Sequence, residues 1–402
     1  LDPEFEAAMT PRMAIIGGGP IGLECLVRAV AEGWDATLFE RGSIGENVRA
    51  WGHVRMFSPW SMNLTPGASI PGLDPAVLPT GAEYVTHRLE PMAQRPEIAS
   101  RIHQGCEVAA IARSELRKSD AIGSPERAGR PFRLLLVERG REREEEAEVV
   151  VDASGSFATS NWLGEGGIPA IGERELGETI EHRLPDILSR DGPRIAGRHT
   201  TVVGHGHSAA TAIGWLSTLA REASGTRVTW ITRSNAARPV TEHPGDPLRE
   251  RDRVSVSAND LAERGAPWLT CLRGSRVREV KRANGGVAIV VGGVESPRVI
   301  QADRVLALVG YRPDLSFLSE LQVQTCWATE GTYPLAAALL SRGGAADCLT
   351  AGAGLDVRTL LHPEPGFFVL GAKSYGRNPD FLIRAGLDQI ENLFALLRDR
   401  RS

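Results

Sequence analysis

The chain is 402 residues long and carries 46 Lys and Arg against 50 Asp and Glu, a formal net charge of −4. That balance gives no overall electrostatic reason to bind nucleic acid or an anionic membrane, and no apolar run reaches the roughly 20 residues that cross a bilayer. The length suits two domains with substantial cores rather than one.

No charged-then-apolar secretory signal precedes the first strand, so a cytoplasmic protein is expected. Residues 1–8 read as an appended stretch ahead of Met9 and take no part in the functional reading. Five cysteines, Cys25, Cys106, Cys271, Cys326 and Cys348, show neither C-x-x-C nor metal-ligand spacing. That pattern predicts no metal site and no proximal dithiol.

The first predicted strand, Ala14-Ile15-Ile16, runs into Gly17-Gly18-Gly19-Pro20-Ile21-Gly22, with Gly17, Gly19 and Gly22 at G-x-G-x-x-G spacing. In such a turn the first glycine permits a tight bend, the second lets backbone approach a pyrophosphate and the third lets helix and strand pack closely. The following helix offers unpaired N–H groups and the positive end of its dipole to negative charge. The next strand strengthens the signal: Ala36-Thr37-Leu38-Phe39 ends in Glu40-Arg41, setting a carboxylate where ribose hydroxyls can donate to it.

The tract from Asn47 to Trp60 is more aromatic and basic than a generic surface loop. Trp51, Phe57 and Trp60 suit the wall of a cofactor ring, with Arg49 or Arg55 on phosphate or an electron-rich ring edge; they suit core anchoring equally well. A polar helical stretch is expected over 82–104, then a strand over Cys106–Ala112 that includes Val108. A hairpin follows, with Phe132–Val137 as one strand and 139–146 as a solvated charged turn. Val149-Val150-Val151-Asp152 is an apolar strand ending in Ala153-Ser154-Gly155, suited to returning beside the adenine end of the first nucleotide.

Residues 164–199, rich in Gly, Pro and charge, mark the crossing to a second domain. There Thr201-Val202-Val203 runs into Gly204-His205-Gly206-His207-Ser208-Ala209, a second dinucleotide turn with alanine in the third glycine's place. Its next strand, Arg227–Ile231, ends in Thr232-Arg233-Ser234 instead of a carboxylate. A guanidinium binds a 2′-phosphate in a bidentate fork where an acidic residue would repel it, so this nucleotide is predicted to be NADPH rather than NADH. Beyond a hairpin pattern at 277–291 and a strand at 304–309, the chain returns to the first domain. Gly366–Leu370 forms a strand entering the turn Gly371-Ala372-Lys373, and a helix runs from about Pro379 to Leu397. The end, Arg398-Asp399-Arg400-Arg401, reads as a solvated helix terminus.

The expected fold is α/β: two Rossmann-like dinucleotide-binding domains, the NADPH domain (164–302) inserted into a discontinuous first domain (9–163 and 303–402). This layout resembles the two-dinucleotide-binding-domain flavoproteins, which include flavin-containing monooxygenases and the thioredoxin reductase group, over nearly the whole chain after Met9. More narrowly, 51–60 and 371–377 resemble monooxygenase-like flavoproteins encoded with arsenic-resistance genes. The resemblance implies that Gly17, Gly19, Pro20, Gly22, Glu40 and Arg41 hold FAD, with Ala153 and Gly155 near its adenosine half and Trp51, Arg55, Met56, Phe57 and Val108 alongside. Gly371 and Ala372 fall at the family's later flavin turn. An aspartate usual after that glycine is replaced by Ala372, so contact is expected from backbone or from Lys373. Gly204, Gly206, His207, Ser208, Ala209, Thr232 and Arg233 match the family's NADPH site.

The activity so implied is hydride transfer from NADPH to FAD, then activation of O2 to oxygenate a small-molecule substrate in a pocket kept dry by the aromatic tract. The monooxygenase linker pattern is only partly present: 177–186 includes His182 but lacks the phenylalanine-glycine opening. One alternative is an NADPH-dependent reductase of a disulfide, quinone or partner protein that needs no internal dithiol. Another is a non-catalytic nucleotide-sensing flavoprotein. No side chain is assigned a catalytic role, and a homodimer is among the assemblies this reading allows.

Overall fold

The computed structural model describes residues 11–243, 245–283, 285–293, 297–341 and 356–399. The stretch ahead of Met9, Cys348 and Arg400-Arg401 lie outside them. The chain forms two compact units, Leu1–Thr159 with Arg312–Ser402, and Ser160–Tyr311. The sequence placed the divisions after residues 163 and 302. They fall after 159 and 311: residues 304–307 hydrogen-bond into the second unit's sheet, and Ser160 and Asn161 bond to Tyr311 and Val309 of that unit.

In chain order the first unit contributes β1 (Arg12–Ile16), β2 (Asp35–Glu40), β3 (Ile102–Gln104), β4 (Cys106–Arg113), β5 (Phe132–Glu138), β6 (Arg141–Ala147) and β7 (Val149–Asp152). The second contributes β8 (Ile180–Glu181), β9 (His199–Val203), β10 (Arg227–Ile231), β11 (Leu269–Leu272), β12 (Ser275–Ala283), β13 (Gly286–Gly293), β14 (Arg298–Ala302) and β15 (Arg304–Ala307), before β16 (Phe367–Val369) returns to the first. The longer helices are α1 (Pro20–Ala31), α2 (His207–Glu222), α3 (Arg249–Arg264) and α4 (Ile383–Asp399).

The first unit's parallel sheet has the order β16-β7-β1-β2-β3, with β4-β5-β6 forming a separate antiparallel sheet. Successive strand residues point to opposite faces, and the two faces bury different layers. Met13, Ile15, Leu38, Val151 and Phe368 pack with Leu23, Leu26, Leu393 and Phe394 of α1 and α4. Ala14, Ile16, Phe39, Val150 and Phe367 instead pack against Val108, Ile111, Phe132 and Leu134. A strand covered on both sides reads as a continuous apolar run, which is why β7 is Val-Val-Val-Asp with all four residues buried. Gly386 lets α4 approach α1, since a methyl there would lie 2.4 Å from Ile21 Cδ1.

Two expectations change in this unit. The stretch 82–104 is not one helix: Pro96 cannot continue the preceding helical turns, and Ile102–Gln104 pairs in parallel with β2 as an edge strand. The charged run is strand β6, not a solvated turn, because the bend takes only Arg139 and Gly140 and Arg141–Ala147 pairs with β5 in full register. Its charges suit an exposed edge, where they discourage pairing with another chain.

Beneath that hairpin, Glu364 is fully buried between Arg113 (Nε to Oε1, 2.7 Å) and Arg127 (Nη2 to Oε2, 2.7 Å). Burial pushes its carboxyl up, but Arg127, the Gln322 N–H and Arg113 together hold it below the usual carboxylate range.

The second unit repeats the plan: a parallel sheet of order β11-β10-β9-β15-β8 and an antiparallel β12-β13-β14. Their shared core includes Val203, Ile231, Val280, Ile289 and Val305. In both parallel sheets the strand before the glycine turn is central, with its successor on one side and a later strand on the other. That reversal of order is where open α/β sheets bind ligands.

Candidate dinucleotide-binding turns

The first turn assigns a distinct role to each glycine. Gly17 has φ +103°, and a methyl on it would lie 2.7 Å from Ser154 Cα and 2.8 Å from the Ala153 carbonyl oxygen. Gly22 is allowed no side chain at all, since a methyl would meet the Gly17 carbonyl oxygen at 1.9 Å. Gly19 faces nothing within 4 Å; it is the extended N-cap of α1, no side chain caps the helix, and Pro20 lacks an N–H to leave unpaired. The open space therefore lies at the helix's positive end, where the glycine spacing predicts a pyrophosphate.

Glu40, at the end of β2, accepts from Gly18 N (2.6 Å) and Gly42 N (2.8 Å). These bonds fix the carboxylate over the turn and leave roughly half of its four lone-pair sites for other donors. Arg41 is exposed.

The second turn follows the same plan with different neighbours. Gly204 has φ +128°, and a methyl would meet the Leu308 carbonyl oxygen at 2.2 Å. Gly206 faces nothing within 4 Å and is the extended N-cap of α2, so His207 and Ser208 open the helix, while Ala209 is fully buried. Fully buried Trp230 donates its indole N–H to the Gly204 carbonyl (2.7 Å), a support the sequence reading missed. Its signal was an aromatic residue inside β10, one position before the strand's end.

Thr232 is buried and donates its hydroxyl to the Ser234 carbonyl, so it shapes the strand exit. Arg233 is exposed there, within electrostatic reach of His205. Burial first, then Arg233, lowers the His205 pKa; burial, aided by Arg251 and His243, brings His207 down to about 4. Arg251 is itself buried against Asp246 (Nη2 to Oδ1, 2.7 Å).

The remaining predicted residues divide between core and surface. Trp60 is a core anchor stacked on Tyr84 at 5.7 Å, and half-buried Trp51 packs on the same core, with Gly81 making room for its ring. Met56 and Val108 are buried in the two cores and Phe57 is half-buried. Arg49 is exposed and pairs with Glu90, while Arg55 is exposed and donates to the Leu78 carbonyl, so neither is directed to the glycine turn by any contact described. His182 is half-buried with its pKa lowered by burial, and its carbonyl accepts from Tyr311.

At the later turn Gly371 has φ +73° and gives its N–H to Gln389 Oε1 (2.8 Å). Ala372 follows, and Lys373 turns inward: its ammonium is buried 2.6 Å from Asp152 Oδ2 and 3.1 Å from Ser154 Oγ. Lys373 thus touches the strand end behind Gly17 instead of pointing outward as a free cation. The segment 152–155 was read as lying beside the first nucleotide, but its contact with Lys373 was missed, because only the fold brings 152–154 and 373 together.

Among the described residues no group of three or more His, Cys, Asp or Glu could hold a metal ion. Cys25 and Cys106 are buried, burial pushing the Cys25 thiol up to about 12, and Cys271 and Cys326 are half-buried. No helix among the described residues is long and apolar enough to cross a membrane.

Two parallel sheets, each with a glycine turn at its order reversal and an antiparallel three-stranded companion, define the fold of the two-dinucleotide-binding-domain flavoproteins. The chain is similar over 97% of its length to 99% of a bacillithiol disulfide reductase from Bacillus cereus, with 18% identity and a TM-score of 0.71. The Staphylococcus aureus bacillithiol disulfide reductase is similar at 15% identity, TM-score 0.69, over 98% of this chain and 99% of that one. An ornithine N-hydroxylase from Kutzneria sp. 744 is similar at 17% identity, TM-score 0.62, over 98% of this chain and all of that one. No family model matches the chain, and no curated protein matches it in sequence.

Proposed function

We propose that the protein is an NADPH-dependent FAD oxidoreductase. The observation that carries this reading is the contrast between two glycine turns of like geometry: the strand beside the first ends in Glu40, fixed by two backbone donors, and the strand beside the second ends in exposed Arg233. The first turn fits FAD, with Gly19 open to a pyrophosphate, the α1 N-terminus stabilising its charge and Glu40 accepting from ribose hydroxyls. The second fits NADPH, with Gly206 open to the pyrophosphate and Arg233 free to fork a 2′-phosphate. When bound, NADPH supplies a hydride and FAD accepts it and passes the electrons onward.

The destination we propose for the electrons is O2, with oxygenation of a small molecule. A second reading, reduction of an external disulfide or quinone, is favoured by the likeness in fold to the bacillithiol disulfide reductases. Anaerobic addition of NADPH to the FAD-loaded protein should bleach the oxidised-flavin absorbance, faster than NADH does; no bleaching by either would overturn the oxidoreductase reading. Admitting O2 then separates the two fates. Oxygenation requires isotopically heavy O2 to label a product, whereas reoxidation accelerated by a disulfide or quinone, with no label incorporated, supports the reductase.

A further inference from the structure

Three segments distant in sequence meet behind the first glycine turn. Asp152 ends β7, wholly buried and paired in the sheet with Ile16 on one side and Val369 on the other. Its Oδ1 accepts from Ser154 N (3.1 Å) and Ser154 Oγ (2.6 Å), and its Oδ2 faces the Lys373 ammonium at 2.6 Å. That ammonium also donates to Ser154 Oγ (3.1 Å) and lies 4.2 Å from the centre of the Phe317 ring. Lys373 and Asp152 have no exposed side-chain surface, so each charge depends on the other for compensation. The backbone they hold, Ala153-Ser154, is the surface against which Gly17 bends.

We infer that Lys373 is a positioning residue for the FAD turn: through Asp152 and Ser154 it presses the 153–154 backbone against Gly17 and keeps the opening at Gly19 in shape. The inference rests on the FAD reading above. It also accounts for the sequence at the later turn, where Ala372 brings no carboxylate and the next residue reaches a carboxylate on β7 instead. An isolated buried lysine would be costly; this one is balanced by the directly paired Asp152, by Asp314 within electrostatic reach, by a hydroxyl and by an aromatic face.

The test is FAD affinity, measured by fluorescence titration of the apoprotein, beside the apoprotein's own unfolding midpoint. Lys373→Met keeps the bulk, removes the charge and strands Asp152, and should weaken FAD by about tenfold or more. The double variant Asp152→Asn with Lys373→Met removes both charges and should recover much of that loss, which a purely volumetric role would not produce. Ser154→Ala, a half-buried hydroxyl deletion that should fold normally, is expected to weaken FAD severalfold with little change in the unfolding midpoint, and it carries the test if Lys373→Met fails to fold. Wild-type affinity in both Lys373→Met and Ser154→Ala would overturn the inference, as would no recovery in the double variant. If the wild-type chain takes up no FAD, the FAD reading itself fails; if it does and the variants match it, only the positioning role fails.

Discussion

The two glycine turns share a backbone and differ in what surrounds it. In the first, Gly17 and Gly22 are demanded by contact or conformation, and a carboxylate locks the loop through Gly18 and Gly42. In the second, the third position is already Ala209, the loop's first carbonyl is held by an indole, and the strand exit carries a cation. On the proposed reading, the geometry suited to a pyrophosphate is thus common to both, and the end of the neighbouring strand is what distinguishes the two nucleotides. A glycine motif read without that strand says only that a dinucleotide fits.

Substitutions can break this comparison, beginning with the largest effect. Gly22→Ala places a methyl 1.9 Å from a carbonyl oxygen and should destabilise the first unit by about 3 kcal/mol, with loss of FAD, as read by chemical denaturation. If it is as well tolerated as the alanine at 209, the steric distinction between the turns is wrong. Glu40→Ala releases two backbone donors and should weaken FAD by about 2 kcal/mol while leaving NADPH binding unchanged. Equal losses for both nucleotides would contradict the assignment of Glu40 to one of them. Arg233→Ala should weaken NADPH about tenfold and NADH hardly at all, since only the former carries the 2′-phosphate; an equal loss for both would sink the phosphate role.

Acid sensitivity should be common to the two units. Burial brings His207 in the second unit and His362 in the first from the ordinary 6.5 down to about 4. Between those pH values the unfolded chain binds more protons than the folded one, so each histidine makes stability rise with pH, by at most about 1.4 kcal/mol per pH unit. Stability is complete above 6.5 and is lost as pH falls toward 4. His207→Gln and His362→Gln should each flatten part of this limb in urea titrations between pH 6.5 and 4, and an unchanged slope in either would show that its imidazole titrates normally in the fold.

Much of the fold was legible because it is written in short-range pattern. The runs at 14–16 and 149–151 are apolar because parallel strands are covered on both faces, and Gly17, Gly22 and Gly204 are glycines because a methyl would strike backbone. The mistakes lie where a distant partner decides. Arg141–Ala147 has the composition of a solvated loop and becomes a strand because β5 offers it a ladder. Ile102–Gln104 has no strong pattern and pairs because β2 lies alongside. Residues 304–307 read equally well as the start of the returning domain, and their pairing with β9 and β8 assigns them to the second unit.

By itself the sequence determined two strand–turn–helix units, the acidic end of one neighbouring strand and the basic end of the other, since these depend on φ, on close approach and on residue spacing within about forty positions. Only the tertiary structure decided that Lys373 turns inward to Asp152, that Trp230 supports Gly204, and that Arg49 and Arg55 occupy the surface. A charged or aromatic side chain reaches several ångströms in any direction its rotamers allow, so its role is set by which partner the fold delivers, and residues 152 and 373 become neighbours only when the sheet forms.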